Sequence, residues 1–382
     1  MKIKKIFIYT LLLFLTTLLQ SIVAQERIIP QKPQIRSLTI DFNKEPLAGY
    51  YILIDTRTEQ EKKEALGKKS LAGPVIVFFH GHAQRPDNGF KLTSDLALKS
   101  KSGIVIVPMC DTPYGEDNHY RGDNGKDIIL MEMTRFILQY LNLEVKNYHP
   151  ISNKSCLING INPANFKGSI PVNLLSLGYS HGAIIARRIA SIYSNSVISL
   201  AQMAPAGYED WGPSCLAPSC LTANFTGESM CISTEFFRGH AYDTFDLTWG
   251  ITKGLVGDTF RSCSSCLGGN FTLFKLFRGW KDIKDCTLLM NDKNFPVPNA
   301  KHVVVIFARD DLAFEYDNIG FNNPESPQQK NLENFWSTYY PSAVINKAKL
   351  TLKILPGQHS GPINYHNQYI KAILEGTEQA KE

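Results

Sequence analysis

Residues 178–182 read Gly-Tyr-Ser-His-Gly and place Ser180 between two glycines. An apolar run typical of a strand ends in this segment, and a helical pattern with isoleucines at positions 184, 185, 189 and 192 starts directly after it. Glycines lack a Cβ atom, so the chain can turn sharply there and expose the serine between strand and helix. The segment therefore predicts a nucleophile elbow. In such an elbow the Ser180 hydroxyl is the nucleophile that attacks the substrate. The backbone amide of His181, at the amino end of the helix, faces the negative charge that develops on the substrate.

Short apolar runs alternate with helical patterns on both sides of this segment. Such alternation is typical of an α/β fold with a mostly parallel sheet and crossover helices. The apolar runs predict strands at 38–42, 50–55, 74–79, 103–109, 172–177, 197–203, 302–307 and 349–355, of which the first two form an antiparallel pair. Helical spacing predicts helices at 89–100, 127–141, 181–193, 328–340 and about 364–374.

The elbow and its setting resemble those of the α/β-hydrolase superfamily, in particular its serine esterases and lipases. A second match lies upstream, where His80-Gly81-His82-Ala83 follows the predicted strand PVIVFF. The resemblance covers residues 37–375 apart from an unmatched insert. It implies an oxyanion hole formed by two backbone amides, those of His82 and His181.

The resemblance also implies an acid and a histidine after late strands, in the chain order serine, acid, histidine. Two carboxylates, Asp310 and Asp311, follow the strand that ends near Ala308. The family spacing of three residues after a small residue favours Asp311, with Asp310 and then Asp317 as alternatives. His359 lies on a glycine-flanked loop directly after the final strand and is the expected base, with His366 in the predicted closing helix as the alternative.

Together these residues imply an exported serine hydrolase that cleaves a carboxylic ester through an acyl-enzyme on Ser180. A peptidase or a thioesterase on the same scaffold is the first alternative, because the triad does not identify the leaving group. A non-catalytic binding protein of the same fold is the second. The expected partner is a small-molecule or lipid-like ester, and neither a metal nor a cofactor is required.

The amino terminus has the three-part pattern of a secretory signal peptide. Three lysines fall within the first five residues, residues 6–19 are almost entirely apolar, and small residues precede a predicted cut after Ala24. This predicts a secreted or periplasmic protein, with an uncleaved anchor as the alternative. Without residues 1–24 the net charge falls from +5 to +2, and no basic run indicates nucleic acid as a partner. No later run reaches the roughly 18 apolar residues of a membrane span.

Eight cysteines in an exported chain indicate disulfide bonds. Six of them fall between residues 215 and 286, in a stretch rich in Gly and Phe. Irregular stretches of this length are uncommon in compact domains, so residues 205–299 are predicted to be a disulfide-stapled cap. A zinc site at Cys263 and Cys266 is the alternative. The core then comprises residues 25–204 and 300–382.

Overall fold

The computed structural model describes residues 27–28, 32, 34–42, 45–81, 89–110, 126–148, 156–157, 170–206, 208, 295–311 and 329–381. The predicted signal peptide and, apart from its two ends, the predicted cap lie outside these residues. So do all cysteines except Cys110 and Cys156, whose backbones lie in strands. Within the described ranges, no helix is long and apolar enough to cross a bilayer.

Strands and helices alternate along most of the described chain. The strands are β1 Ile35–Phe42, β2 Glu45–Asp55, β3 Val75–Phe79, β4 Ile104–Cys110, β5 Leu143–Val145, β6 Cys156–Leu157, β7 Ile170–Val172, β8 Leu174–Tyr179, β9 Val197–Met203, β10 His302–Ala308 and β11 Lys349–Leu355. The helices are α1 Glu59–Lys68, α2 Phe90–Lys99, α3 Lys126–Tyr140, α4 His181–Ile192, α5 Gln329–Tyr339, α6 Pro341–Ile345, α7 Gly361–Asn364 and α8 His366–Gly376.

Nine strands form one sheet in the order β11-β10-β9-β8-β3-β4-β2-β1-β6. The strands from β11 to β4 are parallel to their neighbours, whereas β2, β1 and β6 pair antiparallel at one edge. From β3 the chain first proceeds outward to β4 and then returns to β8 on the other side. The sheet therefore has its switch point beside β3, and in open α/β sheets ligands bind at such a point, at the carboxyl ends of the strands.

Helices cover both faces of the sheet and bury its central strands completely. Every residue of β3 and of β8 is buried, as expected for parallel strands with helices on both sides. Val77 packs in a cluster with Ile137 of α3 and Ile184 of α4. Its neighbour Ile76 packs with Leu96 of α2 on the other face. Successive side chains of β3 therefore point to opposite faces of the sheet, and helices cover both faces.

The prediction of a mostly parallel sheet with crossover helices is confirmed, and the predicted antiparallel pair corresponds to β1 and β2. The strand predicted at 172–177 is wrong in its bounds. The strand structure is interrupted at Asn173, so that β7 ends at Val172 and β8 runs from Leu174 to Tyr179. The α1 helix was not predicted, since its charged residues give no clear apolar face. Its start is nevertheless encoded by a capping box between Thr58 and Glu61.

Arg27 anchors the amino-terminal segment to the core. Its guanidinium donates to the carbonyl oxygens of Ala97, Leu98, Ser100 and Lys101 at the end of α2. It also forms an ion pair with Glu61, with 2.9 Å between Nη2 and Oε1. Burial acts to raise the pKa of Glu61, but hydrogen bonds from Arg27, the Thr58 amide and Lys381 outweigh it, so the pKa falls to about 2.

Candidate active site

Ser180 lies in the sharp turn between β8 and α4, at the carboxyl edge of the parallel sheet. Its backbone has φ 55° and ψ −125°, a conformation that costs an L-residue energy and that surrounding structure must enforce. Three backbone hydrogen bonds hold it: its amide donates to the Met203 carbonyl at 3.0 Å, and its carbonyl accepts from the Ala183 amide at 3.0 Å and from the Ala206 amide at 3.3 Å. The side chain is consequently fixed at the end of β8 and is only 6% exposed.

The two glycines of the segment allow strand and helix to approach at this turn. A Cβ atom at Gly182 would lie 2.0 Å from the carbonyl oxygen of Phe79, at the end of β3. A Cβ atom at Gly178 would lie 2.2 Å from the carbonyl oxygen of Gly182. Both distances are shorter than atoms tolerate, so glycine is required at each position. The first turn of α4 thus packs directly on the end of β3.

His359 and Asp311 lie beside Ser180 and form a continuous hydrogen-bonded chain with it. The Nε2 atom of His359 is 2.8 Å from Ser180 Oγ. Its Nδ1 atom is 2.8 Å from Asp311 Oδ2. Asp311 is 4% exposed, so its carboxylate is shielded from water where it faces the imidazole. Three residues distant in sequence are brought together because β8, β10 and β11 all end at this edge.

The loop that carries His359 is joined to the turn that carries Asp311 by backbone hydrogen bonds. The Arg309 amide donates to the Leu355 carbonyl at 2.7 Å, and the Asp310 amide donates to the Gly357 carbonyl at 2.9 Å. These bonds continue the parallel pairing of β10 and β11 beyond the last paired residues. The relative position of the acid and the imidazole is therefore set by main-chain contacts.

The structure describes two of the alternative residues, Asp310 and His366. Asp311 bonds to His359, whereas the nearby Asp310 contributes its backbone amide to the loop. The alternative base, His366, opens α8, and its Nε2 atom lies 3.1 Å from Asp95 Oδ2 on α2. Asp317 lies outside the described residues.

Of the two amides expected to form an oxyanion hole, one can be located. His181 is the first residue of α4, directly after Ser180, and the first amides of a helix have no acceptor within it. His82 lies outside the described residues. The described range 45–81 ends just before it. Within that range His80 is 9% exposed, and its Nδ1 atom is 2.9 Å from the Gly81 carbonyl oxygen.

Sequence reasoning did not single out Tyr179, the residue before the serine. Its hydroxyl donates to the His359 carbonyl oxygen at 2.8 Å. Its ring also stacks on the His359 imidazole, with 5.4 Å between centroids and 28° between planes. The two residues are 180 positions apart, so no local pattern signals the contact.

The mostly parallel sheet, the helices on both faces and the elbow after a central strand together define the α/β-hydrolase fold. No protein-family model matches the chain, and no curated protein matches it in sequence. Among solved structures, it is similar to an esterase from Thermogutta terrifontis, with 13% identity, a TM-score of 0.49 and coverage of 90% of this chain and 97% of that one.

Two further solved structures show a similar degree of likeness. A hydrolase from Pseudomonas aeruginosa has 11% identity and a TM-score of 0.48, with 86% of this chain and 94% of that chain covered. A membrane phospholipase A, described as a bacterial virulence factor, has 15% identity and a TM-score of 0.47, with 98% and 100% covered.

Proposed function

We propose that this protein is an exported serine hydrolase that cleaves a carboxylic ester through an acyl-enzyme on Ser180. The observation that carries the proposal is the hydrogen-bonded chain from Asp311 through His359 to Ser180, with both distances at 2.8 Å. A serine hydroxyl is a weak nucleophile at neutral pH and needs a base within hydrogen-bonding distance. His359 satisfies that requirement, and Asp311 fixes the tautomer in which Nε2 is free to accept a proton.

In the acylation half of the proposed reaction, Ser180 Oγ attacks the carbonyl carbon of the ester while its proton passes to His359 Nε2. The imidazolium that forms is stabilised by the Asp311 carboxylate, which remains ionised. The carbon–oxygen bond to the alcohol then breaks, and the proton on Nε2 passes to the leaving alkoxide. The acyl group remains on Ser180 as an ester.

Deacylation repeats these steps with water as the nucleophile. The water molecule gives its proton to His359 Nε2 as its oxygen attacks the acyl carbon. The bond to Ser180 Oγ breaks, the proton returns to that oxygen, and the carboxylic acid leaves. In the proposed reaction, the backbone amides of His181 and His82 stabilise the negative charge on the carbonyl oxygen. Each such donor lowers the energy of the transition state by about 3–4 kcal/mol.

Export belongs to the proposal because of the signal-peptide pattern at residues 1–24. The chain is held to the core at Arg27, three residues after the predicted cut. A mature chain that begins at Gln25 would keep this anchor.

A covalent fluorophosphonate probe and p-nitrophenyl esters test the proposal on purified mature protein. We expect wild-type protein to be labelled and to hydrolyse the esters, and we expect Ser180→Ala and His359→Ala to abolish turnover while remaining folded. His302→Gln is the matched control, because His302 opens β10 at the opposite end of the strand, and it should keep its activity within about twofold.

Three results would contradict the proposal. More than about a tenth of the wild-type activity in Ser180→Ala would exclude the acyl-enzyme. When catalytic residues act as a unit, removal of any one of them is expected to abolish nearly all of the activity. Folded wild-type protein that neither reacts with the probe nor cleaves any ester would favour the binding protein. Labelled protein that cleaves only thioesters or peptides would exclude the ester as substrate.

A further inference from the structure

Tyr179 contacts the proposed base in two independent ways. Its hydroxyl donates to the His359 carbonyl oxygen, which fixes the backbone of the loop between β11 and α7. Its ring lies against the imidazole, which limits rotation of the His359 side chain. The tyrosine itself is 2% exposed at the end of β8, so it is held by the packed sheet and provides a rigid support.

The same residue is bonded covalently to the proposed nucleophile. Ser180 follows Tyr179 directly, and its φ and ψ are set by the elbow. Tyr179 therefore links the two reacting residues: a peptide bond joins it to Ser180, and its hydroxyl is hydrogen-bonded to the backbone of His359. The acid-bearing turn holds the other side of the loop, through the Asp310 amide and the Gly357 carbonyl. Tyr179 supplies the support on the side of the nucleophile.

We propose that Tyr179 is a positioning residue for His359, which keeps Nε2 within reach of the Ser180 hydroxyl without contacting the substrate. The inference rests on the proposed function of the triad. Proton transfer depends steeply on the alignment of donor and acceptor, and a displacement of about 1 Å can reduce a rate by about a hundredfold. Loss of the hydroxyl also leaves the His359 carbonyl without this donor, which favours a shift of the loop.

Tyr179→Phe tests the hydroxyl while the ring is retained. Tyr179→Met removes the ring as well, with a flexible side chain that fills irregular space in a core. Tyr339→Phe is the matched control, because the Tyr339 hydroxyl also donates to a backbone carbonyl, that of Tyr208, at 3.1 Å. For each variant, kcat and KM are measured on p-nitrophenyl acetate, together with the rate of fluorophosphonate labelling and the melting temperature.

We expect Tyr179→Phe to lower kcat about tenfold with KM unchanged within about twofold, and to slow labelling in parallel. Tyr179→Met should lower kcat further, and Tyr339→Phe should keep kcat within about twofold. A loss of stability would reduce the fraction of active protein and so lower the apparent kcat with KM unchanged as well. For this reason kcat is expressed per site labelled by the fluorophosphonate probe at completion. A positioning effect slows the rate of labelling but leaves its final extent and the melting temperature close to wild type.

The proposal is overturned if kcat of Tyr179→Phe and Tyr179→Met stays within about twofold of wild type. It is also overturned if KM rises while kcat is unchanged, or if Tyr339→Phe loses as much kcat as Tyr179→Phe. A failure of the proposed function itself has a different signature, because it is seen in the wild-type protein and in Ser180→Ala before any Tyr179 variant is compared.

Discussion

Replacement of Asp311 by asparagine gives the sharpest test of the triad geometry. Asp311 Oδ2 lies 2.8 Å from His359 Nδ1 and is well shielded from water. In the reactive tautomer, Nδ1 carries the ring proton and donates a hydrogen bond to this carboxylate, so that the lone pair of Nε2 faces Ser180. An asparagine amide group at the same position donates to Nδ1, which moves the ring proton to Nε2. His359 then has no lone pair directed at the serine hydroxyl.

The magnitude follows from this change of tautomer. In a serine protease with the same three groups, the equivalent replacement lowers kcat by about 10⁴. For Asp311→Asn we expect a loss of about 10³–10⁴ in kcat, which corresponds to about 4–5.5 kcal/mol in the barrier. The fold should remain intact, because aspartate and asparagine have nearly the same shape. Initial rates on p-nitrophenyl acetate and urea unfolding curves measure the two quantities.

Asp310→Asn is the matched control on the neighbouring residue. The Asp310 backbone amide donates to the Gly357 carbonyl, and asparagine retains this bond. Its kcat should stay within about threefold of wild type. A severe loss in Asp310→Asn together with activity within tenfold in Asp311→Asn would refute the assignment of the acid and the reasoning from distance that supports it.

Two further predictions concern the stability of the fold. Ser180 has a φ of 55°, a conformation that only glycine adopts without strain. Ser180→Gly should therefore have a free energy of unfolding about 1 kcal/mol higher than that of Ser180→Ala. Urea unfolding measures the difference, and an alanine variant that is equally or more stable would contradict the backbone strain. For Glu61, whose pKa is lowered to about 2, the ionised carboxylate stabilises the fold above about pH 4.5, and this contribution is lost as the pH falls toward 2. Solvent screening reduces the full effect of about 3 kcal/mol to about 1–2 kcal/mol. Glu61→Gln should therefore be less stable than wild type by that amount at pH 7 and should approach the stability of wild type as the pH falls toward 2. A difference that stays constant from pH 7 to pH 2 would exclude the ion pair as its source.

Much of the fold could be predicted because buried parallel strands leave a strong pattern in the sequence. The runs that became β3 and, from Val303 onward, β10 are continuous and apolar, since both faces of these strands are covered. Prediction failed for segments in which apolar and polar residues do not separate onto different faces. The α1 helix is charged along most of its length, and its capping box was the only local signal of its start.

The candidate site shows the same division between local and distant information. The elbow around Ser180 could be predicted because strand, turn and helix are contiguous in the chain. The choice between Asp310 and Asp311 could not be settled in sequence, since it depends on how the turn after β10 directs two adjacent side chains. The contact between Tyr179 and His359 was missed because it depends on the lateral order of strands in the sheet, which local sequence does not encode.

The backbone bonds between the acid-bearing turn and the histidine loop make the amide protons of Arg309 and Asp310 natural reporters of an assembled triad. Both protons exchange with solvent only when the two segments separate. Hydrogen–deuterium exchange at these two positions therefore measures how often the turn that carries Asp311 separates from the loop that carries His359, and the measurement needs no substrate.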